Sequence, residues 1–348
     1  MPHGNLKILK AGSPSPKLKV AVVGVGHLGK FHAEKYASIP EAEIVGLVDI
    51  DRARAEEWAI KLGTEAFSDY RSLLGRVDAV SVVVPTDRHH RVAVDFLKSG
   101  SDVLLEKPIC SSLLEAEDLI GIARDCGRIL QVGHLERFNP AILAARGKIK
   151  SPLFIEAHRL TPFRGRGIEV DVVLDLMIHD LDIILSFVRS EVAHIHAVGV
   201  PVLTEKVDIA NARLEFVSGC VANITASRVS GEDQRRLRIF QPDTYLTVDY
   251  ASKRVGLYQR TNSGGGIPQA KISAEQIPVE PGDALEKEIR SFIFSSMNRT
   301  PPLVTGEDGK KALVLALRII EQIQTNIKKI PSIASFYGMR EILPDVSW

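Results

Sequence analysis

Between Val20 and Ser38 the sequence passes from a short apolar run into the turn Gly24-Val25-Gly26-His27-Leu28-Gly29 and then into a segment of helical period. A turn of the form G-x-G-x-x-G between a strand and a helix fits few folds. Gly24 permits the tight turn, Gly26 lets a pyrophosphate approach the backbone at the helix N-terminus, and Gly29 lets helix and strand pack closely. The turn predicts a dinucleotide site with His27 and Leu28 beside the ligand. The next strand ends at Asp49, 20 residues past Gly29, where an acid accepts hydrogen bonds from the hydroxyls of an adenosine ribose. A carboxylate there repels a 2′-phosphate, so the pattern favours NAD over NADP, a preference that Arg52 and Arg54 soften. The structural alternative for Asp49 is a helix N-cap.

From Lys19 to Leu130, Val/Ile/Leu-rich runs alternate with segments of helical period, the pattern of a parallel sheet with crossover helices. Strands are expected over Lys19 to Val23, Ile44 to Val48, Ala79 to Val84, Val103 to Leu105 and Ile129 to Val132. Helices are expected over Leu28 to Ser38, Arg52 to Leu62, His90 to Lys98 and Leu113 to Asp125, with Gly63, Gly100 and Gly127 at helix ends. After Asn139-Pro140 the pattern changes to a short helix, a strand over Phe154 to Leu160, a glycine-bearing loop, and a long helix over Val170 to Val188. From Ile195 to Val279 strands of alternating polarity follow one another, as in an antiparallel sheet. The segment Ser263 to Gly266 reads as a mobile hairpin loop, and Lys310 to Lys328 as a closing helix.

The expected fold class is therefore an α/β Rossmann domain, a doubly wound parallel sheet, plus an α+β C-terminal domain with a large, mainly antiparallel open sheet. We divide the chain into a flexible N-terminal arm (1–16), an NAD-binding domain (17–138) and a substrate and oligomerisation domain (139–348). A length of 348 residues also suggests two domains.

Composition excludes several classes. Lys and Arg number 44 against 43 Asp and Glu, so no net field is available to hold a polyanion, and nucleic acid is not an expected partner. Cys110, Cys126 and Cys220 lack metal-type spacing and are read as reduced, buried thiols, with no metal site. Val170 to Val188, the most apolar long stretch, is interrupted by Asp171, Asp175, His179, Asp180 and Asp182, so no membrane span is expected. A cytoplasmic protein is the resulting expectation.

Three further motifs carry chemistry. Pro85-Thr86 and His89 follow an apolar strand where the chain crosses the nicotinamide side of such a sheet. Glu106-Lys107-Pro108 follows the next strand, at the carboxyl end where ligands bind. In the long helix, positions 171, 175, 179 and 182 fall on one face, so Asp175 and His179 belong to an acidic and histidine-bearing stripe. Removing hydride from a carbinol requires loss of its hydroxyl proton, which needs a base of near-neutral pKa. Histidine meets that need, and so does a desolvated lysine; Lys107 can alternatively stabilise the developing alkoxide.

The GVGHLG turn, the EKP tripeptide at 106–108, the D-x-x-x-H pattern at 175–179 and the Thr305-Gly-Glu-Asp-Gly309 segment together resemble the Gfo/Idh/MocA oxidoreductase family, over about Leu18 to Lys328. The resemblance implies hydride transfer between NAD or NADP and a sugar or cyclitol hydroxyl. It makes Lys107 and His179 the acid/base pair, Asp175 the residue that orients or charges His179, and Glu106 a part of the cofactor site. It also implies a homodimer or homotetramer formed through the C-terminal sheet.

Within the family, the runs Gly133-His-Leu-Glu-Arg-Phe-Asn-Pro140 and Val172 to Asp180 resemble UDP-N-acetylglucosamine 3-dehydrogenases of lipid A biosynthesis. By that resemblance Arg137 and Asn139 face the cleft, and Arg159, Arg164 and Arg166 pair with a substrate diphosphate. The alternatives are a free-sugar or inositol dehydrogenase, an ene or imine reductase, and a non-catalytic NAD sensor.

Overall fold

The computed structural model describes residues 16–165, 167–262 and 270–329. The expected arm lies outside these apart from Pro16, as do Arg166 and the Ser263 to Gly266 segment.

The first half alternates strand and crossover: β1 (Leu18–Val23), α1 (Gly29–Ser38), β2 (Ala42–Val48), α2 (Arg52–Leu62), β3 (Glu65–Phe67), β4 (Ala79–Val82), α3 (Thr86–Lys98), β5 (Asp102–Glu106), α4 (Leu113–Asp125) and β6 (Leu130–Gly133). Among the described residues these strands form a six-stranded parallel sheet in the order β3-β2-β1-β4-β5-β6. The order reverses between β1 and β4, the position at which doubly wound sheets leave a crevice beyond their carboxyl ends. β3 is an edge strand that the hydrophobic pattern does not reveal, because three residues are too few to show a period.

Local chemistry sets the helix boundaries. Asp51 caps α2 by accepting from the Arg54 amide. Gly63 ends that helix in the left-handed conformation with φ +68°. Ser112 and Glu115 form a capping box at α4. α3 begins at Thr86, four residues before the expected His90, because Pro85 supplies a preset N-terminal turn.

The second half contains α5 (Pro140–Arg146), β7 (Phe154–Leu160), a wide π-helical turn (Val173–Met177), α6 (Ile178–Phe187), β8 (Val192–Val200), β9 (Ile209–Phe216), β10 (Val221–Ser227), β11 (Gln234–Phe240), β12 (Thr244–Asp249), β13 (Arg254–Asn262), β14 (Ala270–Ile277), α7 (Ala284–Asn298) and α8 (Gly306–Ile327). Its eight strands, counted among the described residues, follow the order β14-β13-β12-β11-β7-β10-β9-β8. All neighbours are antiparallel except β7 and β10, which run parallel.

One face of this sheet is covered. Ile155 and Ala157 of β7, Leu237 and Ile239 of β11 and Ala222 and Ile224 of β10 pack against Met177, Ile178 and Leu181 and against Leu315, Ala316 and Ile319 of α8. The last two helices also return to the parallel sheet. Ile289, Phe292 and Ile293 of α7 complete the core over Val20, Val22 and Leu104, while Leu313 of α8 joins the core holding Val132 and Leu105. The 139–348 segment thus finishes both sides of the cofactor half.

The α8 docking depends on a close approach. A Cβ built on Gly309 lies 2.8 Å from Val132 Cγ2, whereas one on Gly121 in α4 meets nothing within 4 Å. The two glycines should therefore respond oppositely to alanine. Gly309→Ala is expected to destabilise by about 1–3 kcal/mol through overpacking, and Gly121→Ala to stabilise by up to about 1 kcal/mol through helix propensity. Urea unfolding of the two variants checks both signs.

Candidate active site

The three glycines of the first turn are constrained by different neighbours. Gly24 has φ +88°, and a Cβ on it would collide with the Val83 carbonyl. One on Gly29 would run into the Gly24 carbonyl. Gly26 differs, since the nearest atom to a Cβ there is Arg54 Nη1 at 3.9 Å. Protein packing therefore dictates the outer glycines and leaves open space over the middle one, where a pyrophosphate on the α1 N-terminus needs it. Leu28 is half exposed and His27 exposed beside this space, with the His27 ring edge-on to Phe31.

Asp49 is not the helix cap, a role that Asp51 fills. Its buried carboxylate accepts from the Val25 amide and the Asp51 amide, each at 3.0 Å, so it fastens the end of β2 to the glycine turn. Arg54 Nη1 lies 3.4 Å from both carboxylate oxygens. The arginine that was expected to soften NAD preference is thus placed directly on the acid that creates it.

At the carboxyl ends of β4 and β5 the chain builds a second cluster. His89 was expected in contact with the cofactor, but it is buried, with its ring nitrogens 2.9 Å from the Pro108 and Val84 carbonyl oxygens. Burial holds its pKa below the ordinary value against the pull of those carbonyls, so the neutral ring has one N–H to donate. His89 clips α3 to the turn after β5, and Pro85 and Thr86 form the N-terminus of that helix. Glu106 Oε1 meets His32 Nε2 at 3.1 Å, and its other oxygen accepts from the Lys107 amide. Burial pushes the Glu106 carboxyl up, but His32 and Lys107 outweigh it and hold the group below the usual range.

Lys107 projects from this turn toward the π-helical segment. Its Nζ donates to the Asp175 carbonyl oxygen at 2.8 Å and lies 3.8 Å from the Asp175 carboxylate. Burial lowers the pKa of Lys107, while the charges of Asp175 and Glu106 oppose that fall. His179 is half buried, and its Nδ1 has no hydrogen-bond partner among the described residues. Its pKa falls well below 6.5, first because of burial and then because of the positive charges of Lys107 and Arg159.

The expected pairing of Asp175 with His179 is not what the structure shows. The wide turn Val173–Met177 breaks the regular four-residue alignment, so the Asp175 carboxylate serves Lys107 instead. The other acidic positions of the stripe are tied down within the protein. Asp171 accepts from the Val207 amide, and Asp182 is buried against Arg137.

Arg137 and Arg159 also differ from expectation. Arg137 makes a two-pronged contact with Asp182, at 2.6 and 2.8 Å, and therefore does not present a free guanidinium to the cleft. Arg159 is buried between Asp180, at 2.8 and 3.1 Å, and Glu136, at 2.9 Å. Asn139 caps α5 by accepting from the Ala141 amide. Arg164 is exposed and pairs with Asp233 at 2.6 Å. Arg137 and Arg159 find carboxylates within the protein because an unpaired buried charge is costly.

Sequence reasoning missed three residues here. His134, just after β6, is buried with both ring nitrogens unpartnered among the described residues, and burial lowers its pKa against the opposing charge of Asp182. Glu288 of α7 is a fully buried carboxyl, also without a partner, and burial, with the charges of Glu106 and Asp182 adding to it, pushes its pKa well above the ordinary value. Arg235 of β11 bears on His179, Asp180 and Glu136. His134 lies inside the run Gly133 to Pro140 but was given no role there, and Glu288 and Arg235 lie far from any motif in sequence.

Two family models match the chain: an oxidoreductase family with an NAD-binding Rossmann fold over residues 18–134, and a GFO/IDH/MocA C-terminal domain over residues 144–243. The chain belongs to the Gfo/Idh/MocA oxidoreductase family. It is 38% identical to the UDP-N-acetylglucosamine 3-dehydrogenase of Acidithiobacillus ferrooxidans over 90% of this chain and 99% of that one. The crystal structure of that enzyme superposes with a TM-score of 0.84 over 89% of this chain and 99% of the other. The myo-inositol 2-dehydrogenase of Thermotoga maritima is 27% identical over 86% of this chain and 94% of its own. Family membership makes the Rossmann half an NAD-binding unit, and the open cradle over Gly26 fits that cofactor.

Two outcomes follow from this geometry. Asp49→Ala should lower the NAD-over-NADP preference on two counts, since it removes the repelling carboxylate and frees Arg54 for a 2′-phosphate; an unchanged ratio of kcat/KM for the two cofactors would exclude that role. Because Asp175 raises the pKa of Lys107, Asp175→Asn should lower it further. Any limb of the kcat/KM–pH profile that requires protonated Lys107 should then move to lower pH, and a limb that stays in place or moves up refutes the assignment.

Proposed function

We propose that the chain is an NAD-dependent dehydrogenase of nucleotide sugars that oxidises the 3-hydroxyl of UDP-N-acetylglucosamine, the step that prepares a 3-amino sugar for lipid A. The full-length relationship to the Acidithiobacillus enzyme supports the substrate, and the Lys107–His179 arrangement supports the chemistry. The working units are the cofactor half, 17–138, and the substrate half, 139–348, acting in the cytoplasm as a homo-oligomer assembled through the eight-stranded sheet. No helix among the described residues is long and apolar enough to cross a membrane.

NAD, when bound, accepts the hydride. His179, kept neutral by burial and neighbouring positive charge, takes the hydroxyl proton. Lys107, whose pKa burial lowers against the opposing charges of Asp175 and Glu106, stabilises the developing negative charge on the sugar oxygen. Asp175 holds the ammonium through its carbonyl oxygen and its carboxylate. Of the expected substrate contacts, Arg164 pairs with Asp233, Arg137 with Asp182, and Asn139 caps α5.

A second reading, an inositol dehydrogenase, is favoured by the Thermotoga relative. Both readings are tested by following NADH formation at 340 nm with UDP-N-acetylglucosamine and with myo-inositol. UDP-sugar turnover is expected, with His179→Ala and Lys107→Ala each losing about 10²-fold or more in kcat. Turnover of inositol with none of any UDP-sugar overturns the proposal.

A further inference from the structure

The covered face of the eight-stranded sheet ends in two arginines with opposite fates. Along β7 the residues on that face are Ile155, Ala157 and Arg159, and along β11 they are Ile239, Leu237 and Arg235, because side chains two apart share a face. The antiparallel register sets them side by side: Ile239 opposite Ile155, Leu237 opposite Ala157, and Arg235 opposite Arg159. The first two pairs are buried beneath the helices. Arg159 remains buried, locked by Asp180 and Glu136, while Arg235 is exposed where the helix cover stops.

The Arg235 guanidinium makes no ion pair or hydrogen bond with any described residue, yet its charge acts on His179, Asp180 and Glu136. Its register opposite Arg159, whose guanidinium grips Asp180 next to His179, puts it on the side of the sheet that carries the candidate proton acceptor. Arg164, the arginine the sequence pointed to, is already paired with Asp233, just ahead of β11. Arg236, the next residue along β11, points to the opposite face, opposite His158 of β7.

We propose that Arg235 is the residue that anchors the substrate's phosphate groups and so sets its specificity; this rests on the nucleotide-sugar reading above. A planar guanidinium grips two phosphate oxygens at once, and an arginine with no internal acid has its donors free to do so. Placed at the uncovered end of the sheet, it holds the charged end of a long substrate while the sugar reaches Lys107 and His179. Fixing that end orients the reacting hydroxyl, so remote binding energy supports turnover.

The test compares wild type, Arg235→Ala, Arg235→Lys and Arg236→Ala, by calorimetric titration with UDP-N-acetylglucosamine, UDP and glucose 1-phosphate in the presence of NADH, and by KM and kcat. Arg235→Ala should weaken binding of the phosphate-bearing ligands by about 10- to 100-fold, the range for losing a charge-assisted contact. Arg235→Lys should fall between it and wild type, the salt dependence of binding should flatten in Arg235→Ala, and Arg236→Ala should match wild type. Equal affinity in wild type and Arg235→Ala overturns the inference, as does a lowered melting temperature with unchanged affinity, which would make Arg235 a counter-charge for Glu136 and Asp180. If wild type binds glucose 1-phosphate but no UDP compound, and Arg235→Ala loses that binding, the UDP-sugar reading falls and the anchor stands. If wild type binds no phosphate-bearing ligand, both fall.

Discussion

The helix that carries His179 is fixed in place by buried arginines that come from outside it. Arg159 of β7 grips Asp180, and Arg137, from the turn after β6, grips Asp182, with every contact at 3.1 Å or less. These two acids flank Leu181, which faces the apolar core, so the helix is anchored to the antiparallel sheet on one side and to the cofactor half on the other. Losing either arginine would strand a carboxylate in the interior, a situation that typically costs about 3–5 kcal/mol. The pairs thus locate the helix rigidly, and His179, one residue before Asp180, inherits that placement.

The same charges tune the chemistry. Arg159 is close enough to depress the pKa of His179, and Lys107 adds to the effect. In the proposed mechanism this favours the neutral ring of His179 as the proton acceptor, whereas burial lowers the pKa of Lys107 against the opposing charges of Asp175 and Glu106. Two groups that both lose charge through burial are driven to different roles by their neighbours. The acid that matters most for this split is Asp175, and it reaches Lys107 because of the wide turn ahead of α6.

Much of this was legible in the sequence. The glycine turn between β1 and α1 and the position of the EKP tripeptide at the end of β5 follow from local spacing, and the helix α2 and the strand β7 were bounded correctly from pattern alone. What failed was anything set by tertiary pairing. Whether an arginine serves a substrate or an internal acid depends on which carboxylate folds beside it, and Asp180 for Arg159 or Asp233 for Arg164 lie 21 and 69 residues away. His89 looked like a ligand contact because of its position after a strand, but its partners are two backbone carbonyls that sequence does not display. Cys126 was expected to be buried with the other two thiols and is partly exposed instead, since it falls at the end of α4.

The arrangement of arginines also separates structural from ligand-facing charge by a simple criterion. An arginine on the covered face of the sheet must be neutralised wherever helices exclude water, as Arg159 is by two acids. Where the cover ends, solvent carries that burden and no internal partner is required, which leaves the donors of Arg235 open to an external anion. Charge on an exposed surface would ordinarily mean little, but Arg235 acts on the same His179 that Lys107 and Arg159 act on. An anion held there would offset part of the positive field that depresses the His179 pKa, raising it toward neutrality and improving it as a base. On the proposed reading, substrate binding and proton acceptance would be linked through this guanidinium.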